Sequence, residues 1–207
     1  SGQKIASWDI GGVVNSKLSK LLGPGQQGET AVMGVRGAAA DQGELTWVEE
    51  GEEFMAKGKK LLAEGLFDEA IVAFKDGADW ALTEDERSEY LFYASYAHSL
   101  KGDNALALIL LEDMALASNS AIFTDYMLLK GKLLIENLAF ADALDLFSQY
   151  LKHPDMGETT QVVYFLSAVC HQGLDNNTQA QKYLQDAIKI DASSEYGKAA
   201  QRMIGSL

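Results

Sequence analysis

One order of residues recurs four times between Gly58 and Leu184, and this repetition limits the fold more than any other feature of the chain. In GKKLLAEGLFDEAIVAF it runs Gly58, Leu61, Gly65, Phe67, Ala70, Phe74. In ASYAHSLKGDNALALILL, 37 residues on, it is Ser95, His98, Gly102, Asn104, Ala107, Leu111. A further 36 residues on, LKGKLLIENLAFADALDLF gives Gly131, Leu134, Leu138, Phe140, Ala143, Phe147. After another 37, SAVCHQGLDNNTQAQKYL gives Ala168, His171, Asp175, Asn177, Ala180, Leu184. Apolar residues recur at spacings of three and four on both sides of each Gly/Asp/Asn cluster, so each unit predicts two helices joined by a tight turn. The small residues have a mechanical role. Gly58 against Ala70, or Gly131 against Ala143, lets antiparallel helices approach closely, with Phe74 or Phe147 filling the space between units.

This order of small, large and turn residues resembles the tetratricopeptide repeat (TPR), a helix-turn-helix unit of about 34 residues. The resemblance spans roughly residues 48–192 in four units, about 48–84, 86–120, 122–156 and 159–192, and is specific in the first and third. It implies an all-α fold: a right-handed α-α superhelix over 45–207, preceded by a Gly-rich arm over 1–44 and closed by a capping helix over 194–206. The chain departs from the family pattern in places. The opening aromatic appears as Phe54, Leu91, Met127 and Tyr164, the closing proline survives only near Pro154, and Leu138 and Asp175 replace the turn glycine.

The resemblance also implies a function, protein or peptide binding on the concave face lined by the first helix of each unit. Matched residue by residue, that face carries Met55 and Lys59, then Phe92, Tyr93 and Tyr96, then Leu128 and Lys132, then Phe165 and Val169. It is an apolar groove in which Tyr93 and Tyr96 can anchor a ligand backbone through their hydroxyls. Phe92, Tyr96 and Phe165 read equally as packed core, because inner-face and core positions differ by one helical step. The family's clamp for chaperone C-terminal carboxylates uses Lys, Asn and Arg at set positions. Those positions hold Met55, Lys59, Tyr93, Asp125 and Leu129 here, with Lys59 the sole cation and standing where Asn is wanted, so chaperone tails are disfavoured.

Seventeen basic against 30 acidic residues, a net charge of −13, leave no clustered Lys and Arg to track phosphates, so nucleic acid is not an expected partner. The chain as given has no run of 18 apolar residues and thus no expected transmembrane segment. The residues that carry enzyme chemistry do not assemble. His98 and His171 occupy equivalent places where Leu61 and Leu134 stand in the other units, which marks them as packing residues. Cys170 and His171 lie about 100° apart around a helix and share no face, as nucleophile and base must. One cysteine and three scattered histidines, without C-x-x-C or H-E-x-x-H, predict no metal site, and no cofactor is expected. The carboxylate runs Glu84-Asp85-Glu86 and Glu49 to Glu53 are expected to begin helices, with Thr83 and Glu86 at capping-box spacing. The reading is a noncatalytic scaffold. The alternatives are a self-associating homo-oligomer, or a piece of a larger exported assembly factor or enzyme.

Nine of the 19 glycines fall within residues 1–43. There Gly23-Pro24-Gly25-Gln26-Gln27-Gly28 spells the dinucleotide-binding spacing G-x-G-x-x-G, which requires a strand before it and a helix after it. The lysine-bearing, helix-like SKLSKLL precedes it and AVMGVRG, broken by two glycines, follows, so it reads as a hinge. Trp8, Ile10, Val13, Leu21 and Leu22 then read as anchors of an apolar arm that covers the inner or end face of the helical stack; a flexible linker is the alternative. The Ser-Gly start implies a cloning scar or a removed leader. A small-residue-rich lead-in ahead of helical repeats resembles the mature start of exported bacterial repeat proteins. That likeness implies a periplasmic or otherwise exported location, with the cytoplasm as the alternative.

Overall fold

The computed structural model describes residues 42–114, 116, 120–152, 154 and 156–207, with side chains from 53 onward. The described residues are helical throughout, with no strand among them. The helices are α1 (Gln42–Ala63), α2 (Phe67–Trp80), α3 (Glu84–Lys101), α4 (Asn104–Glu112), α5 (Phe123–Glu136), α6 (Phe140–Tyr150), α7 (Glu158–Gly173), α8 (Asn177–Ile190) and α9 (Glu195–Ile204). The chain divides into two compact units, an N-terminal half that ends at Phe123 and a C-terminal half that starts at Thr124. The expected anchors Trp8, Ile10, Val13, Leu21 and Leu22, and the glycine-rich hinge, lie outside the described residues.

Four of the turns between helices are built from one set of hydrogen bonds. At each, a residue with positive φ follows the first helix: Gly65 (77°), Gly102 (92°), Leu138 (61°) and Asp175 (57°). Its N–H donates three residues back, to Leu62, Ser99, Ile135 and Gln172 respectively. The N–H after it donates five residues back, to Leu61, His98, Leu134 and His171. This is the Schellman arrangement, which satisfies the carbonyls that a helix end leaves bare. The second helix starts two residues past the turn residue in every case. Leu138 and Asp175 therefore occupy the same left-handed conformation as the glycines they replace, although an L side chain is strained there.

In the first and third pairs a glycine of the first helix faces a phenylalanine of the second. A Cβ on Gly58 would fall inside the Phe74 ring, and one on Gly131 inside the Phe147 ring. In the second and fourth pairs the same positions hold Ser95 with Leu111 and Ala168 with Leu184, a larger small partner with a smaller large one. All eight residues are buried, and so are Ala70, Ala107, Ala143 and Ala180. The buried Ser95 hydroxyl donates to the Ala107 carbonyl at 3.0 Å, so the polar substitution stays satisfied. Phe74 thus packs first within its own pair. It also reaches the next one, stacking on Tyr93 with ring centroids 5.4 Å apart.

Helix starts follow local chemistry. Thr83 Oγ1 accepts from the Glu86 N–H at 3.2 Å while Glu86 Oε2 accepts from the Thr83 N–H at 3.3 Å, the expected capping box. Glu49 to Glu53 do not open a helix as expected: α1 already runs from Gln42, which places that run in its middle. At the C-terminus, buried Gln161 of α7 ties the last two helices together. Its amide nitrogen donates to the carbonyls of Ala187 (2.9 Å) and Asp191 (2.6 Å), and its oxygen accepts from Ser194 Oγ (2.8 Å). Ser194 caps α9 by accepting from the Gly197 N–H, and α9 buries Tyr196, Ala199, Ala200 and Met203 against α7 and α8.

Leu138 is 66% exposed, so its side chain contributes little packing where its backbone is strained. Leu138→Gly should therefore raise stability by about 1 kcal/mol. Urea unfolding should show a higher midpoint at unchanged slope; a lower midpoint would contradict this account of the turn.

Candidate functional site

The candidate site is the side of the first helices that carries the residues expected along the groove. In the N-terminal half it starts from Lys59. The Lys59 ammonium lies 4.4 Å from the centroid of the Tyr93 ring, a cation-π distance, and 3.9 Å from Glu89 Oε1. Tyr93 in turn meets Phe92 edge-on, with centroids 5.4 Å apart. Met55 and Lys59 are half-buried. Phe92, Tyr93 and Tyr96 are buried, and burial pushes the Tyr96 hydroxyl above the usual tyrosine range. In the C-terminal half, Leu128, Phe165 and Val169 are buried as well. Lys132 is only 2% exposed and paired along α5 with Glu136, 3.1 Å from Oε1 and 3.2 Å from Oε2.

Seven of the nine residues expected along the groove are buried, which for Phe92, Tyr96 and Phe165 agrees with the packed-core alternative. Phe92, Tyr93, Tyr96, Leu128, Lys132, Phe165 and Val169 are interior here, and only Met55 and Lys59 keep partial access to solvent. The physical reason is that α3 and α7 are enclosed on all sides: every residue from Tyr90 to Ser99, and every residue from Thr159 to Cys170 except Tyr164, is buried. Ten successive residues at 100° each sample the whole circumference of a helix, so a single buried face cannot produce this pattern.

The two repeat histidines sit where packing places them. His98 is buried, and neither of its ring nitrogens has a hydrogen-bond partner. Asp103 Oδ2 faces Nδ1 at 3.5 Å, too long for a good hydrogen bond. Burial is the largest influence and holds the imidazole below its ordinary range, helped by Lys75 and Lys101 and opposed by Asp103. His171 is half-buried, stacks on Tyr183 at 5.2 Å, and is lowered by burial too. The buried Cys170 thiol is pushed up to about 12, which keeps it protonated and unreactive near neutrality. Among the described residues no three His, Cys, Asp or Glu side chains converge as a metal site would require. No described helix is long and apolar enough to cross a membrane.

Two surface features were not anticipated. Glu53, Phe54 and Lys57 of α1 and Trp80 of α2 line a cleft of about 320 Å³. On α4, Leu106 and Ile109 are 49% and 59% exposed. Comparing the repeats register by register would have flagged the α4 pair. The places equivalent to Leu106 hold Glu69, Asp142 and Gln179, and those equivalent to Ile109 hold Val72, Asp145 and Lys182. Neither a scan of protein-family models nor a search of curated proteins returns a match for this chain.

The histidines give the fold a pH dependence of known sign. Their folded values lie below the ordinary 6.5, so the unfolded chain binds the extra protons. The stability is complete above pH 6.5 and declines as pH falls from there toward the lower folded values. His98→Leu with His171→Leu, the residue found at Leu61 and Leu134, should flatten this decline in denaturation midpoints measured from pH 7 to pH 5. An unchanged decline would place the acid sensitivity elsewhere.

Proposed function

We propose that the protein is a noncatalytic scaffold, a TPR-like right-handed superhelix that holds an extended protein segment along the inner sides of its first helices. The carrying observation is the fourfold recurrence of one helix pair with the same left-handed turn and the same buried alanine, with a glycine-against-phenylalanine contact in the first and third pairs. Such a unit cannot bury its own apolar faces and is stable only when stacked, and stacking of curved pairs produces a concave surface. On the first helices, Met55 and Lys59 keep partial access to solvent and offer the apolar and cationic contacts of such a groove, while Phe92, Tyr93, Tyr96, Leu128, Phe165 and Val169 form the packed layer beneath it. Lys59, half-buried and beside Glu89, is the accessible cation of that face, which suits a ligand with both apolar and polar groups.

The chemistry of the polar residues supports binding over catalysis. The buried thiol of Cys170 is held protonated, and burial holds His98 and His171 below the ordinary histidine range. A scaffold of this kind recognises its ligand by shape and apolar contact, with Lys59 setting register through its cation-π seat on Tyr93.

The test is a peptide selected from a random display library on the full chain. Its binding should shift amide signals of α1, α3, α5 and α7 far more than those of α2, α4, α6 and α8. Lys59→Ala should weaken it roughly fivefold, the loss of about 1 kcal/mol. Shifts confined to the second helices would contradict the proposed face.

A further inference from the structure

His98 and His171 occupy equivalent places in the second and fourth pairs, but they differ in how a proton can reach them. Both ring nitrogens of His98 are sealed from solvent without a hydrogen-bond partner, whereas His171 is half-buried and traps Nδ1 alone. An imidazolium donates from both nitrogens, so a protonated His98 in its seat is a buried charge with an unmet donor. The charged groups around it do not offset this. Asp103, at the turn into α4, faces Nδ1 at 3.5 Å but lies closer, at 3.3 Å, to the Lys101 ammonium at the end of α3. Lys101 is held in turn by Asp68 of α2 at 2.6 Å. Lys75 of α2 adds a second positive charge that opposes protonation. The ion pair of α1 with α3, Lys59 with Glu89, sits nine residues before His98, about 13 Å along the helix. The one titratable residue of α4, Glu112, stands at its far end and is exposed.

The helix that follows His98 is lightly anchored. α4 has nine residues and buries Ala107 and Leu111, where α6 and α8 bury three each and α2 six. Asn176 caps α8 by accepting from the Gln179 N–H at 3.4 Å, whereas Asp103 makes no such side-chain cap on α4. The turn into α4 also hangs on His98, because the Asp103 N–H donates to the His98 carbonyl at 2.9 Å and the chain reverses through Gly102 at a φ of 92°. We propose that His98 is a proton-operated latch on α4: in acid the ring leaves its seat to take up a proton, and α4 comes away from α3 about Gly102 while the fourth pair stays closed. This goes beyond the scaffold reading and does not rest on it. The sign follows from burial. The closed state holds a neutral ring and the open state an ordinary one, so closure is complete above about pH 6.5 and weakens by up to tenfold per pH unit below it. Opening adds Ala107 and Leu111 to the apolar surface that Leu106 and Ile109 already present, so acid enlarges the apolar face of the second pair.

The test is amide hydrogen exchange of the full chain at pH 7.5 and pH 5.5, followed by mass spectrometry and corrected for the chemical exchange rate. Peptides over 95–112 should lose protection roughly tenfold, the uptake of one proton across one pH unit below 6.5. Peptides over 158–190, which hold His171, should lose less than about threefold, because that ring is protonated in place. His98→Leu, the residue that stands at Leu61 and Leu134, should abolish the loss over 95–112, and His171→Leu should leave it. An NMR titration of the His98 ring in the unsubstituted chain gives a second reading that does not depend on the folding of any variant. The ring should take up its proton over the same pH range in which the amides of α4 lose protection. Equal losses in the second and fourth pairs, a loss over 95–112 that survives His98→Leu, or a His98 ring that titrates while α4 stays protected would overturn the proposal.

Discussion

The fold depends on a steric contact, shown in the first and third pairs, of a glycine on the first helix against a phenylalanine on the second. Where the small partner is glycine, at Gly58 and Gly131, a phenylalanine ring lies over the bare backbone. Where it is Ser95 or Ala168, the large partner is a leucine. The volume is shared differently, and the closeness it permits lets the buried Ala70, Ala107, Ala143 and Ala180 sit between helices at zero exposure. From that spacing follows the turn. With the second helix starting two residues past the turn residue, the chain has to reverse through one left-handed residue, even when that residue is Leu138 or Asp175.

The same contact sets the polar chemistry. Close packing carries His98 and Cys170 into the interior, where desolvation keeps the imidazole neutral and the thiol protonated. It carries Gln161 inward too, but there every polar atom finds a partner at the C-terminal corner. The two buried polar residues thus differ in consequence: Gln161 rigidifies a junction, while His98 gives the fold an acid-sensitive point.

Much of this architecture was legible because repeated units carry redundant information. Gly65 and Gly102 announce their turns by residue type, and once their spacing is known Leu138 and Asp175 are located by register alone. The all-helical class and the capping box at Thr83 follow from periodicity and from a short local motif. What local pattern cannot convey is how a helix is surrounded. Glu49 to Glu53 look like a helix start because acidic residues favour first turns, but a helix already under way tolerates them equally well. Phe74 looks like a filler between units, yet it packs first on its own pair and then on Tyr93. The burial of the residues expected along the groove is non-local in the same way. Phe92, Tyr96 and Phe165 stand one helical step from the core, and whether that step faces water depends on what covers it, a non-local fact absent from the spacing.

The central claim is that the small-against-large contact is one shared volume, interchangeable between pairs, and a double-mutant cycle tests it most directly. Gly58→Ser alone should destabilise by about 1–3 kcal/mol through overpacking against Phe74, and Phe74→Leu alone should cost on the order of 1 kcal/mol through lost contact. Together they recreate the Ser95 and Leu111 pair, so the double variant should recover most of the loss, with a coupling of about 1–2 kcal/mol in the denaturation free energies. Additive losses would show that the two residues do not share a volume and would contradict the account.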